Sequence, residues 1–511
     1  MPISSTRMDL PGFAGTDRLL ASATKKNKRP NNEKERVAMS HPNFSSFQQL
    51  LDWIPDQVEY FYNETISPHF GRSGGAKAAA LIPPAYSNWR DEQRAWNETT
   101  ALFHMSHHMP ELFLEGPDAL KVLGRVGVNT MDSFTADRAK QFVVCSPTGH
   151  MIGDCILYRH GPESFELVSG MPALNWVHFH AETGGYDVKV TRDYHSTENP
   201  TGRRTRFRFQ LDGPTAGDVF LDALDGTPPD LKFFRTAQVK IAGVDVLVLR
   251  HGMGGNHGVE LSGEFDDEAT VRAALLEAGK PHGIVPVGTT AYFSTPLSNA
   301  WMAYPVPGIY NDERARDYRE WLPADTWEAK IQLGGSFYAP EIESYYVTPY
   351  DLGYERIVNF NHDFIGREAL QAVEPEQRRH RRTLLWNRDD VARVLDSQLG
   401  DGPRYKALEF PVANYAWNHF DIVSDTSGAA VGLSCHSGYL SYEGQALSLA
   451  LLDAQHAEPG TEVTITWGEP NGGSRKPQVE RHEQTQIRAT VAPAPYSAQV
   501  RNLLRADVSR R

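Results

Sequence analysis

Four features of this 511-residue chain could do chemistry: the histidines His104, His107 and His108, the run GMGGNHG at 252–258, Glu260 and Tyr292. The histidines have the spacing of a metal set on a helix. Yet MSHHMPELFLEG leads into a strand, and no motif pairs a carboxylate ligand with them. They read as pocket-lining or structural side chains, and no metal is expected. The glycine run lacks the GxGxxG order and the Walker lysine. It stands between two strand-like stretches, VDVLVLR and GVELSG, where a phosphate loop would open a helix. A tight turn with positive φ is the expectation there. Glu260 falls in an apolar alternating strand, so it either faces solvent or accepts hydrogen bonds from a buried ligand. Tyr292, in VPVGTTAYFSTPL, is by residue type core or surface filler. A phenol acts as an acid only opposite a group of similar pKa, about 10, and a phenolate leaving group is one. The GxSxG string GRSGG at 71–75 falls in a Gly/Ala-rich loop stretch rather than a strand-to-helix elbow, and there is no Cys–His arrangement.

These residues need elements to hold them. SSFQQLLDWI reads as a helix with a serine cap, and SNWRDEQRAWNETTALF as a helix capped by Ser87. ELFLEGPDALKVLGRV (111–126) and RFQLDGPTAGDVFLDAL (208–224) resemble each other. Each reads as strand, Gly-Pro turn and helix, with Pro117 and Pro214 expected in the helix's first turn. KQFVVCSPTGHMIGDCILYRHGPESFELVSG reads as successive strands and VKIAGVDVLVLRHG as a strand pair. EATVRAALLEAGK predicts a helix ending near Gly279, and DFIGREALQAV one starting at Asp363. The last third alternates apolar and polar residues and predicts a β-barrel or sandwich.

The expected fold is therefore α+β: two related α/β units and a C-terminal β domain. The expected divisions are a disordered basic extension at 1–40, a catalytic region at 41–370 and the β domain at 371–511, after the charged stretch EPEQRRHRR. The extension contains KKNKRPNNEKER, too polar to bury, and Met39 opens a segment that reads like a natural start. Acids outnumber bases by 64 to 51, giving a net charge of −13, which disfavours a nucleic-acid partner. Three cysteines without a CxxC pair support neither a disulfide framework nor a structural zinc site and suggest a cytoplasmic setting. No apolar run of about 18 residues or more predicts a membrane span.

The blocks LFHMSHHMPELFLEGPDALKVL, GHMIGDCILYR, FQLDGPTA, LRHGMGGNHGVEL, HGIVPVG, DFIGREAL and GLSCHSGYLSYEGQALSLALL resemble, in order, the glycine-cleavage T-protein (aminomethyltransferase) superfamily. SNWRDEQRAW, ALNWVHFHAETGGY, YREWLPA and WGEPNGGSRK go further. They resemble the tetrahydrofolate-dependent aryl O-demethylases of vanillate, 3-O-methylgallate and syringate. Two departures from the T-protein agree: Asn129-Thr130 stands where it has Asn-Asp, and GTTAYFSTP stands where it reads GARDTLRLE.

The resemblance implies that N5 of tetrahydrofolate takes a methyl group directly from a methoxylated aromatic acid and a phenol leaves. It implies Tyr292 at the departing oxygen and His108 assisting it or orienting substrate. It also implies Glu260 on the pterin ring, and Gln141 and Arg250 as further candidates on the cofactor side. Met105, Met171 and His107 are the substrate-side candidates. Met105 replaces a glutamine of the vanillate-type enzymes, and Gly170-Met171 stands where they carry an arginine. A tyrosine pair ahead of SNW is also missing. Losing that arginine removes a carboxylate partner, which Arg250 or a histidine would have to replace, and methionine makes an adaptable apolar wall. Vanillate- or syringate-type acids and chlorinated methoxybenzoates such as dicamba fit equally. The alternatives are demethylation at sulfur or nitrogen, or folate binding without catalysis.

Overall fold

The computed structural model describes residues 42–65, 81–254, 258–412 and 418–502. The expected extension at 1–40 and most of GRSGGAKAAALIPP lie outside them. Helix α1 (Phe47–Trp53) is capped by Ser46, whose hydroxyl accepts from Gln49 N, and α2 (Gln57–Asn63) follows. In α3 (Trp89–Glu98) the cap is Asn88, not Ser87. Ser87 instead gives its backbone N–H to Glu92 at 2.9 Å.

Two similar units come next. In the first, β1 (Thr100–His104) precedes β2 (Glu111–Glu115), α4 (Ala119–Val126), β3 (Ala139–Cys145), β4 (Met151–Arg159), β5 (Ser164–Val168) and α5 (Met171–Thr183). In the second, β6 (Lys189–Asp193) precedes β7 (Arg206–Asp212), α6 (Ala216–Ala223), β8 (Thr236–Ile241), β9 (Val244–Arg250), β10 (Gly258–Glu264), α7 (Glu268–Gly279) and β11 (Ile284–Val287). The matching turns use matching backbone: Gly116 has φ 146° and Gly213 φ 135°. A Cβ on either would strike a carbonyl, Asp187 O at 2.5 Å or Thr99 O at 2.4 Å. Pro117 and Pro214 sit one residue ahead of the caps Asp118 and Thr215, not in the first turn. The steering is done by the glycines.

The units are interlaced. β1 pairs antiparallel with β7, and β6 pairs antiparallel with β2, so each unit lends its leading strand to the other's sheet. The sheet orders are β11-β1-β7-β10-β9-β8 and β3-β4-β5-β2-β6. Their inner faces meet through Ala139, Tyr158 and Val168 on one side and Leu247 and Leu249 on the other. Helices α6 and α7 close the outer face of the first sheet over Phe207, Val246 and Leu261. Helices α4 and α5 share a core with Leu112 and Leu167 of the second.

After α8 (Thr289–Tyr292) and a stretch of loops with short helical turns, β12 (Leu333–Gly334) leads toward a barrel. Its strands are β13 (Arg379–Trp386), β14 (Asn418–Ser424), β15 (Ala430–Leu440), β16 (Gln445–Asp453), β17 (Glu462–Trp467) and β18 (Thr485–Ala492). The order β14-β15-β16-β13-β18-β17 closes through a β14–β17 pairing, around a core of Trp386, Trp467 and Ile487. The helix expected from Asp363 begins only at Arg367. Gly366 (φ 89°) turns the chain there, where a Cβ would meet Ser146 O at 2.5 Å. Among the described residues no helix is long and apolar enough to cross a membrane.

Candidate active site

Tyr292 ends the short helix α8. What fixes α8 is α3. Glu92, fully buried, accepts the N–H groups of Tyr86, Ser87 and Gly288. Gln93, also fully buried, donates to Ser294 Oγ at 2.7 Å and Tyr439 O at 3.0 Å and accepts from Ser441 N at 2.8 Å. Two adjacent polar residues of the SNWRDEQRAW block thus clamp the Tyr292 segment to the barrel.

His108 follows β1. Arg204 holds this stretch by donating to Met109 O at 2.7 Å, and Arg208 N donates to Ser106 Oγ at 2.9 Å. His108 Nε2 lies 2.7 Å from the Tyr292 hydroxyl. Burial lowers the His108 pKa to about 3, and the neighbouring His195, His104, His107 and Arg204 act in the same direction. Burial, with Tyr304 and Glu260 nearby, raises the Tyr292 phenol far above its ordinary value. The pair is therefore a neutral imidazole on a neutral phenol.

Glu260 lies inside, not at the surface. Its Oε1 accepts from Tyr158 of β4 and from Arg208 of β7. Arg208 is the hub between the sheets, bonded to Glu111 at 2.8 Å, to Glu166 and to Glu260. Both of these bonds to the Glu260 carboxylate fall on Oε1, and none to Oε2 is formed among the described residues. Four residues before Tyr158 on β4, Asp154 gathers Gln141 Nε2 at 2.7 Å, Trp301 Nε1 at 3.1 Å and the Tyr354 hydroxyl at 3.3 Å. Burial raises the Asp154 pKa. Alternation along β4 puts Asp154 and Tyr158 on one face, so Gln141 and Glu260 belong to one polar wall.

Other expected residues are placed differently. Arg250 opposes Val259, one position out of phase with Glu260 opposite Leu249. Strand alternation turns it to the other face, where it donates to Leu231 O at 2.9 Å. His107 bonds Ser196 Oγ at 2.9 Å and packs on His104, centroids 4.8 Å apart. Met105 is 1% exposed and packs in one cluster with Trp96, Phe103 and Tyr292. Met171 is the first residue of α5, half-buried. Of the glycine run, residues 255–257 lie outside the described residues. Gly254 and Gly258 do not have the positive φ expected of them. They allow close approach instead: a Cβ on Gly258 would meet Leu211 O at 2.5 Å, and one on Gly254 would meet Trp96 at 3.0 Å. No cluster of three potential metal ligands occurs among the described residues.

A profile of the GCVT N-terminal domain matches residues 61–305. Syringate O-demethylase of Sphingobium sp. (strain NBRC 103272 / SYK-6) is 44% identical over 456 residues, 89% of this chain and 97% of that protein. This chain belongs to the GCVT (aminomethyltransferase, T-protein) family. Sesamin methylene transferase of Sinomonas sp. (strain No.22) is 31% identical over 82% of the chain and 91% of its own length. The crystal structure of glycine cleavage system aminomethyltransferase T from Bartonella henselae shares the fold, with a TM-score of 0.56 at 18% identity over 86% of this chain and 96% of that one. The GCVT match covers both interlaced units and ends after Tyr292, so it contains Tyr292, His108 and Glu260.

Sequence reasoning missed Arg208, Tyr158, Asp154 and Trp301. Arg208 carried little signal: it alternates with Phe207 and Phe209 as a solvent-facing residue would, yet the strand is buried on both faces, where a charge must have partners.

Proposed function

We propose that this chain is a tetrahydrofolate-dependent O-demethylase of methoxylated aromatic acids, with substrates of the syringate type. The observation that carries this reading is the Tyr292–His108 pair beside a buried glutamate whose bonds to Tyr158 and Arg208 both fall on one oxygen. Support comes from the relative named for syringate, which matches almost the whole chain.

The residues fit the folate. Glu260 offers Oε2 as an acceptor for the amino and N–H edge of a pterin, while Arg208 and Tyr158 hold the carboxylate from behind. Gln141, committed to Asp154, shapes the same wall. When bound, the folate supplies the nitrogen that accepts the methyl group.

The chain's own part is alignment and proton placement. A neutral His108 carries one ring hydrogen. In the Nε2–H tautomer it donates to the Tyr292 oxygen, leaving the phenol hydrogen free to point at the departing ether oxygen. There the phenol donates a hydrogen bond that stabilises charge as it develops on the departing oxygen. Met105 and the aromatic cluster around it keep water from that oxygen.

Met105 and Met171 also favour a second reading, a less polar ring such as a chlorinated methoxybenzoate. Purified protein incubated with tetrahydrofolate and, separately, syringate, vanillate, dicamba and dimethylsulfoniopropionate tests both. Formation of 5-methyltetrahydrofolate with a methoxybenzoate is expected. Product with the sulfonium compound alone would overturn the proposal.

A further inference from the structure

Arg192 of β6 is a half-buried guanidinium on the α5 side of its sheet, beside the start of that helix, and it pairs with no carboxylate among the described residues. Nη1 donates to Asn175 Oδ1 at 2.7 Å and meets His178 Nδ1 at 3.5 Å, while Nη2 lies 3.8 Å from Met171 Sδ. The ring of Tyr194 lies against it, 5.2 Å from centroid to guanidinium carbon. These neighbours are neutral. His178 has its pKa pushed down to about 4 by burial and by Arg192 itself. Glu328 is reached only through Asn175, whose Nδ2 donates to its two oxygens at 3.0 and 3.1 Å. Arg204 and Arg208 make the contrast: the first pairs with Asp193 at 3.1 Å, the second with three glutamates. A desolvated cation left with neutral acceptors is costly and keeps donors in hand for an anion.

The surroundings agree. Met171 opens α5, whose cap Gly170 has no side chain and makes no capping bond, so the helix's unpaired N–H groups are at the same spot. From there the wall continues toward the candidate site. A Cβ on Gly170 would lie 3.5 Å from the Tyr304 ring, and Tyr304 is close enough to act on the Tyr292 phenol.

We propose that Arg192, at the N-terminus of α5, receives the carboxylate of the aromatic substrate and so turns its methoxy group toward Tyr292 and His108. The inference rests on the demethylase reading above. Asn175 and Glu328 orient the guanidinium without neutralising it, leaving N–H groups for two parallel bonds to a carboxylate. Arg192 enters from a different strand than the segment at Gly170-Met171, yet delivers its charge beside Met171.

The test compares syringate with its methyl ester in wild type, Arg192→Met and Arg192→Gln, reading 5-methyltetrahydrofolate formation, with tetrahydrofolate affinity measured alongside. Wild type should prefer the acid. Arg192→Met should raise KM for the acid by roughly ten- to a hundredfold, the worth of hydrogen bonds to a charged group, and leave the ester unchanged. An acid-to-ester ratio unchanged in Arg192→Met, with folate binding intact, overturns the assignment. If Arg192→Met no longer binds folate, Arg192→Gln, which keeps a donor for Asn175, is read the same way. A wild type that demethylates neither compound nor any other methoxybenzoate sinks the demethylase reading and this subsite together, a result distinct from an unchanged ratio.

Discussion

The Tyr292 hydroxyl and His108 Nε2 meet at 2.7 Å across 184 residues of chain, one from the end of a four-residue helix and the other from the stretch behind β1. Neither is held by its own element. Glu92 and Gln93 of α3 fix the tyrosine, and the paired arginines 204 and 208 fix the histidine's segment. The bond is therefore a property of the interlaced units and the barrel together.

Removing the phenol oxygen should separate chemistry from binding. Tyr292→Phe keeps the ring that packs on Phe103 but loses the hydrogen for the departing oxygen. Turnover should fall by about 10²–10⁴, the usual worth of a positioned acid, with tetrahydrofolate affinity little changed. Single-turnover methyl transfer and folate titration measure the two. Full activity in this variant would remove Tyr292 from the leaving-group role.

Glu260 should behave in the opposite way, though alanine is the wrong probe. Its Oε1 is one of the anions around Arg208, so truncation also unpairs a buried charge. Glu260→Gln keeps the shape and a carbonyl oxygen. Folate affinity should drop on the order of tenfold, with a smaller change in turnover at saturating folate. Equal losses in both would place Glu260 in the chemical step.

Some of this was legible in the sequence and some was not, for physical reasons. The Gly-Pro turns at 116–117 and 213–214 and the alternation around Glu260 are local patterns, so the two units and the odd carboxylate could be read directly. The exchange of β1 and β6 between sheets is a pairing between distant strands, and no local pattern encodes it. For the same reason Arg208 and Asp154 were invisible as hubs: each takes partners from strands or loops far apart in the chain. Arg250 lies on the face away from Glu260, which its neighbourhood in sequence does not reveal, because a shift of one residue along a strand reverses the face.

Stability should fall on the acid side before any ordinary carboxylate titrates. Burial pushes His104 and His108 to about 3 and His107 to about 4. Unfolded, these rings take up protons near pH 6.5; folded, they resist, so the unfolded chain binds more protons in between. Their contribution is whole above about pH 6.5 and is lost as pH drops toward 4 and then 3. Burial raises Glu111 in the opposite sense, to about 7, so its share is lost as pH rises through that value. Thermal midpoints should thus peak in the neutral range and decline between pH 6.5 and 4. His107→Asn, which can keep a bond to Ser196, should make that decline shallower. A midpoint flat from pH 7 to 4 would contradict the buried neutral cluster.

The costliest single change outside the apolar cores should be Arg208→Met. The guanidinium is buried and answers Glu111, Glu166 and Glu260 from both sheets, and it also donates to Tyr158 at 3.2 Å. Methionine has similar bulk but leaves three carboxylates facing one another without water. Each must then take up a proton or force the sheets apart. Breaking a buried ion network by removing one partner costs about 3–5 kcal/mol. The denaturation midpoint should drop accordingly, and more at pH 8 than at pH 6, where protonation partly relieves the repulsion. Folate affinity should fall too, because Glu260 loses the group that orients it. Arg208→Met combined with Glu111→Gln should recover part of the midpoint, since one uncompensated charge is gone. A double variant no more stable than the single one would show that Arg208 acts through packing rather than through charge.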